Sequence, residues 1–162
     1  MSFLARLSCA LITASTALSG AIAGTVDPLQ QLVPSDNTDG GFGSVIDTSG
    51  QYMIIGAPEH NGNAGGFEIY AWSNDAWVLE ATSTPSDYDP GDEAGFAVAV
   101  TGDGIAMIGL PGRGSGAVEV WTRSPEGNWS KHSDLPWMIG DRFGAAIDVD
   151  GMYAVVGAPQ GN

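Results

Sequence analysis

Beyond residue 40 the hydrophobic residues fall into short runs separated by glycine, proline and acidic or amide residues. "YMIIG" (Tyr52–Gly56) and "YAVVG" (Tyr153–Gly157) are continuous apolar runs, the pattern of strands covered on both faces. "FEIYAW" (Phe67–Trp72) alternates more and predicts a strand with two unlike faces. "NDAW" and "PEGNW" carry turn chemistry ahead of a further strand opened by Trp77 or Trp129. No stretch after residue 24 keeps a helical period. Short strands joined by glycine-rich turns predict an all-β protein.

The pattern repeats. Phe42–Pro58 ("FGSVIDTSGQYMIIGAP") and Phe143–Pro159 ("FGAAIDVDGMYAVVGAP") align without a gap and agree at nine of seventeen positions. A degenerate middle copy reads "GFAVAVTGDGIAMIGLP", with Phe96, Gly109 and Pro111 as its landmarks and Ala97 where the others have glycine. The closing prolines, Pro58, Pro111 and Pro159, lie 53 and 48 residues apart. One unit is thus four short strands: a Phe-Gly strand, a Gly-Ala-Pro strand, an aromatic strand and a Trp strand. Such a unit buries both faces only by stacking on a neighbour, and its size is that of a β-propeller blade. "LQQLVPSDNTDGGF" before Phe42 is similar to "LEATSTPSDYDPGDEAGF" before the middle copy, so Leu29–Val33 is expected to be a fourth strand without its first three. Trp72 is expected to match Trp121, and Trp77 to match Trp129, as packing between units; Trp137 stands outside these pairs as a candidate exposed contact.

These motifs resemble the FG-GAP repeat, in the short bacterial variety with a Trp-containing fourth strand. Its landmark residues are Phe42, Gly43, Gly56, Ala57 and Pro58, then Phe96, Gly109 and Pro111, then Phe143, Gly144, Gly157, Ala158 and Pro159. The resemblance spans most of residues 29–159 and implies an integrin-α-like β-propeller of four-stranded antiparallel blades. It also implies an extracytoplasmic location and a role in adhesion or ligand binding, without a fixed chemistry. On this reading residues 1–23 are a leader, 24–37 an N-terminal segment with the orphan strand, 38–89 and 90–138 two full blades, and 139–162 the first half of a third, so the chain reads as truncated. The family's calcium loop is not matched. "DTSG", "TGDG" and "DVDG" are too short to wrap an ion with six to eight oxygens and fit tight hairpin turns instead.

"MSFLARLSCALITASTALSGAIAG" places Arg6 before an apolar segment and ends on Ala21-Ile22-Ala23, the form of a secretory signal peptide cleaved near Ala23. Cleavage removes Cys9, the one cysteine, and leaves 19 acidic residues against four Lys and Arg. Such a charge argues against nucleic-acid binding, which needs a basic footprint, and against anionic membrane surfaces. The mature chain has no apolar run long enough to span a bilayer and is expected to be secreted, periplasmic or at the cell surface.

Candidate chemistry is sparse. Asp87, Asp89, Asp92 and Glu93 gather in one loop and are weak candidates for a hard cation such as calcium; an acidic loop between blades is the plainer alternative. His60 and His132 fall in no metal signature, and no Ser stands in a G-x-S-x-G elbow. The expected function is a non-catalytic module that binds an extracellular protein or polysaccharide, with no cofactor. Its ligand surface is expected in the loops Glu59–Gly65, Asp87–Glu93 and Gly112–Gly116. The alternatives are the propeller of a secreted lyase or hydrolase, or a structural envelope protein.

Overall fold

The computed structural model describes residues 11–12, 30–83, 86–136 and 142–159. Trp137 and most of the expected leader lie outside them.

The protein is all-β. Strands β1 (Leu11–Ile12) and β2 (Gln31–Leu32) pair in parallel. Next comes a four-stranded antiparallel meander of β3 (Val45–Ser49), β4 (Tyr52–Gly56), β5 (Phe67–Ser73) and β6 (Ala76–Thr82). A helical turn, α1 (His60–Asn63), lies between β4 and β5. A second meander repeats the order with β7 (Val98–Val100), β8 (Ile105–Leu110), β9 (Ala117–Arg123) and β10 (Trp129–Pro136). A hairpin of β11 (Ala146–Asp150) and β12 (Tyr153–Gly157) closes the described chain.

The sheets stack through apolar faces. Tyr52, Ile54, Phe67, Ile69 and Ala71 of the first sheet form one core with Val98, Val100, Ala106, Ile108 and Leu110 of the second. Ile54, Ile69 and Ile108 are fully buried there, each worth roughly 1.5–3 kcal/mol relative to exposure. The opposite face of the first sheet (Met53, Ile55, Tyr70) packs with Leu32 and Phe42 in a smaller core. Tyr52 meets Trp129 edge-on at 5.5 Å between ring centroids. Beside them Glu80 takes both Nε and a terminal nitrogen of Arg123, at 2.7 and 2.6 Å, and the Trp129 indole N–H at 2.9 Å. β5 is therefore buried on both faces and not on one, because each of its sides meets a packed layer.

Each unit is sewn to the next by backbone. Isolated parallel bridges join Gly65 to Ala94 and Gly116 to Phe143. The glycine of each Gly-x-Pro element lies against the following seam: a Cβ on Gly56 would stand 2.1 Å from the Gly95 carbonyl oxygen, and one on Gly109 2.0 Å from that of Gly144. A side chain also crosses, as Asp47 accepts the Val100 N–H at 2.7 Å.

The middle copy departs from the expected alignment. Gly43 and Gly144 donate their N–H to the carbonyls of Gly56 and Gly157; in the second unit the donor to Gly109 is Gly95, at 3.1 Å. Ala94-Gly95 therefore fills the Phe-Gly place, and Phe96 does not. Phe96 is 41% exposed with the Arg142 guanidinium over its ring. The extra residue sits in the hairpin, where Thr101 pairs with Ile105 across three residues while the other two copies turn on Gly50-Gln51 and Gly151-Met152.

Register also corrects the tryptophan pairs. β4–β5 sets Glu68 opposite Ile55, and β8–β9 sets Glu119 opposite Ile108; Tyr70 then corresponds to Trp121, and Trp72 to Arg123. Trp77 and Trp129 do correspond, each opposite that third-strand position.

Candidate functional site

The three loops expected to carry a ligand surface come together at one end of the stack. α1 ends in left-handed Asn63, a conformation asparagine tolerates better than most residues. This turns the Asn63 carbonyl toward the connector between the sheets, where it accepts the Gly91 and Glu93 N–H groups at 3.0 and 2.9 Å. Gly112 donates to the Asp92 carbonyl at 3.2 Å, which brings the Gly112–Gly116 loop to the same place.

The four acidic candidates are not arranged as a cation site. Asp92, buried, takes the Arg113 Nε at 2.9 Å and the Asp89 N–H at 3.2 Å. Glu93 pairs with Arg142 at 2.8 Å, while Asp87 offers its backbone carbonyl to Arg113 at 3.3 Å. Asp89 is exposed. Among the described residues no group of three or more His, Cys, Asp or Glu side chains is placed to hold a metal. Two of the loop's acids, Asp92 and Glu93, are held in ion pairs with arginines.

Two clefts open at this end. The first, about 180 Å³, is lined by Pro34, Phe42, Ala57, His60, Glu68 and Ser83 among others. His60 is not a free surface histidine: its ring is 14% exposed and its Nε2 lies 2.7 Å from Asp36 Oδ2. Burial pulls the Asp36 carboxyl up, but two bonds from Thr38 and the contact with His60 hold it below its ordinary range. Glu68 is buried on the cleft floor, where it accepts the Ser35 N–H at 2.7 Å and the Tyr70 hydroxyl. Burial first, and then Glu68, push the Tyr70 hydroxyl up, so it remains a donor.

The second cleft, about 230 Å³, is lined by Asp87, Tyr88, Glu119, Trp121 and Lys131. Glu119 on its floor is buried and accepts the Tyr88 hydroxyl at 3.1 Å and the Trp121 indole N–H at 3.0 Å. Arg113 and Lys131 both reach the same carboxylate at 3.3 Å.

The Ser83 hydroxyl accepts the Phe67 N–H at 2.9 Å and is spent on the backbone; nucleophilic catalysis wants the hydroxyl bonded to its base. His132 is exposed on β10. The residues that sequence reasoning passed over are Glu68 and Glu119. The signal for the glutamates was present, since each stands at the same place in its aromatic strand.

No protein-family model matches the sequence, and no curated protein is significantly similar to it. Among the described residues, no helix is long and apolar enough to cross a membrane.

Proposed function

We propose that the chain is an exported, non-catalytic binding module built of FG-GAP-type β-propeller blades, whose loop end contacts an extracellular protein or polysaccharide. The observation that carries this reading is the convergence of Glu59–Gly65, Asp87–Glu93 and Gly112–Gly116 on one surface, tied by main-chain bonds. Main chain fixes the scaffold while the side chains differ from unit to unit, the arrangement expected where recognition is set by loops on a rigid frame. Stacking of successive four-stranded meanders through apolar faces supports the propeller.

The exposed face of the terminal hairpin supports it too. Asp148, Tyr153 and Val155 correspond to Asp47, Tyr52 and Ile54, which the second sheet covers. Tyr153 and Val155 are 77% and 70% exposed, as for a unit whose outer neighbour is not among the described residues. "YAVVG" is largely open, against its expected burial.

Two measurements test the proposal. Incubation with a panel of polysaccharides and extracellular proteins should give saturable binding and no release of reducing sugar; sugar release would make the chain an enzyme and end the reading. Export predicts a mature N-terminus at Gly24 or Thr25 in the extracytoplasmic fraction, read by N-terminal sequencing, whereas an intact Met1 there contradicts it.

A further inference from the structure

We infer that the first cleft receives a cationic head group from a ligand, a guanidinium above all, with buried Glu68 as its anchor. Two copies of one site in one chain lead to this. Glu68 and Glu119 occupy the same third-strand position, opposite Ile55 and Ile108, and are 5% and 2% exposed. In the second copy the carboxylate is neutralised from within by Arg113 and Lys131. In the first, its partners among the described residues are neutral: the Ser35 N–H and the Tyr70 hydroxyl.

The difference traces to two positions. Arg113 stands second after Pro111 and donates its backbone N–H to the Leu110 carbonyl at 3.2 Å; His60 stands second after Pro58 and donates to Ala57, also at 3.2 Å. His60 is thus the counterpart of Arg113, but its ring pairs with Asp36. Lys131 faces Trp121 in its ladder as Leu79 faces Tyr70. Both cations of the second site are missing from the first, and a cleft of about 180 Å³ stands over the carboxylate.

A buried carboxylate whose partners are neutral lacks the compensation a cation gives, so a positive group entering here gains what Arg113 supplies next door. Pro34, Phe42 and Ala57 on the walls favour the planar, weakly hydrated guanidinium over an ammonium. The net charge of −14 draws cations toward the surface. The inference rests on the proposed reading of the loop end as a binding surface.

The test is titration of the ¹⁵N-labelled protein with methylguanidinium and with N-acetyl-arginine methylamide, so that a free small cation and a peptide-borne side chain are compared. Methylurea and N-acetyl-citrulline methylamide serve as neutral isosteres. Both cations should perturb the Ser35, Gly66 and Ser83 amides saturably, and the isosteres should bind at least about tenfold more weakly; whichever cation binds tighter assigns the source. Glu68→Gln should cost a similar factor. His60→Arg supplies a guanidinium at the sister position and should abolish binding while raising the melting temperature, which keeps the test sound if Glu68→Gln fails to fold. Equal binding of the isosteres, perturbations elsewhere, or unchanged binding in His60→Arg would overturn the inference. Sugar release in the polysaccharide assay sinks the binding-module reading; failure of the cation contrast alone sinks only this one.

Discussion

Gly109 has no room for a methyl group, because its missing Cβ would lie 2.0 Å from a backbone oxygen that belongs to the next unit's seam. Gly109→Ala should therefore cost upwards of about 3 kcal/mol, the severe end of overpacking. Gly114, at φ +59 with open space around it, should cost only about 1 kcal/mol as alanine, the strain of a left-handed backbone. Urea unfolding of the two variants checks the contrast. Glu80 makes a second residue-level case. Its bonds from Arg123, foremost, and from Trp129 hold its carboxyl below its ordinary 4.5. A carboxylate depressed on folding adds stability that is complete above the unfolded value and fades as pH falls through the folded one. Glu80→Gln should lose about 1–2 kcal/mol at pH 7 and show a shallower decline than the parent below about pH 4.5, followed by melting temperature against pH. Gly109 is legible in the sequence to this extent: a glycine ending a buried strand is a sign of close backbone approach. The His60–Asp36 pair is not legible there, because Asp36 lies 24 positions earlier on a connector with no period to link the two.

At the scale of strands, the repeat allows matched substitutions in non-equivalent surroundings. Ile54 is fully buried and its counterpart Val155 is 70% exposed. Ile54→Ala should destabilise by about 2–5 kcal/mol, and Val155→Ala should stay within about 0.5 kcal/mol; chemical denaturation separates them. A large loss at Val155 would mean that its face is covered in solution. The strands themselves were legible because their hydrophobic period survives in every copy. Equivalence within them was less so. The shift of the middle copy from Phe96 to Ala94-Gly95 is hidden by a longer hairpin and a phenylalanine that happens to follow the glycine. The mismatch of Trp72 with Trp121 has a similar origin: identity of residue type suggested an alignment that ladder register refuses. A β-bulge falls at the same place in β6 and β10, and no composition rule reveals a bulge.

For the whole molecule, the acidic surface is partly internalised as bonds between layers: Asp47 to Val100, Glu80 to Arg123 and Glu93 to Arg142. Because arginines occupy the loop that best resembled a cation site, melting curves with and without a chelator should coincide; a shift of several degrees would show that a metal competes with them. The all-β class and the layered order were legible from periodicity and self-similarity, but the clefts were not, since each forms where a connector crosses the sheet that follows it. The Gly65–Ala94 and Gly116–Phe143 bridges carry one last consequence. Each ties a unit only to its successor, so the cost of adding or losing a unit is confined to one joint. A gene encoding such an array can lengthen or shorten by in-frame duplication or deletion of about fifty codons, and every remaining joint keeps its chemistry.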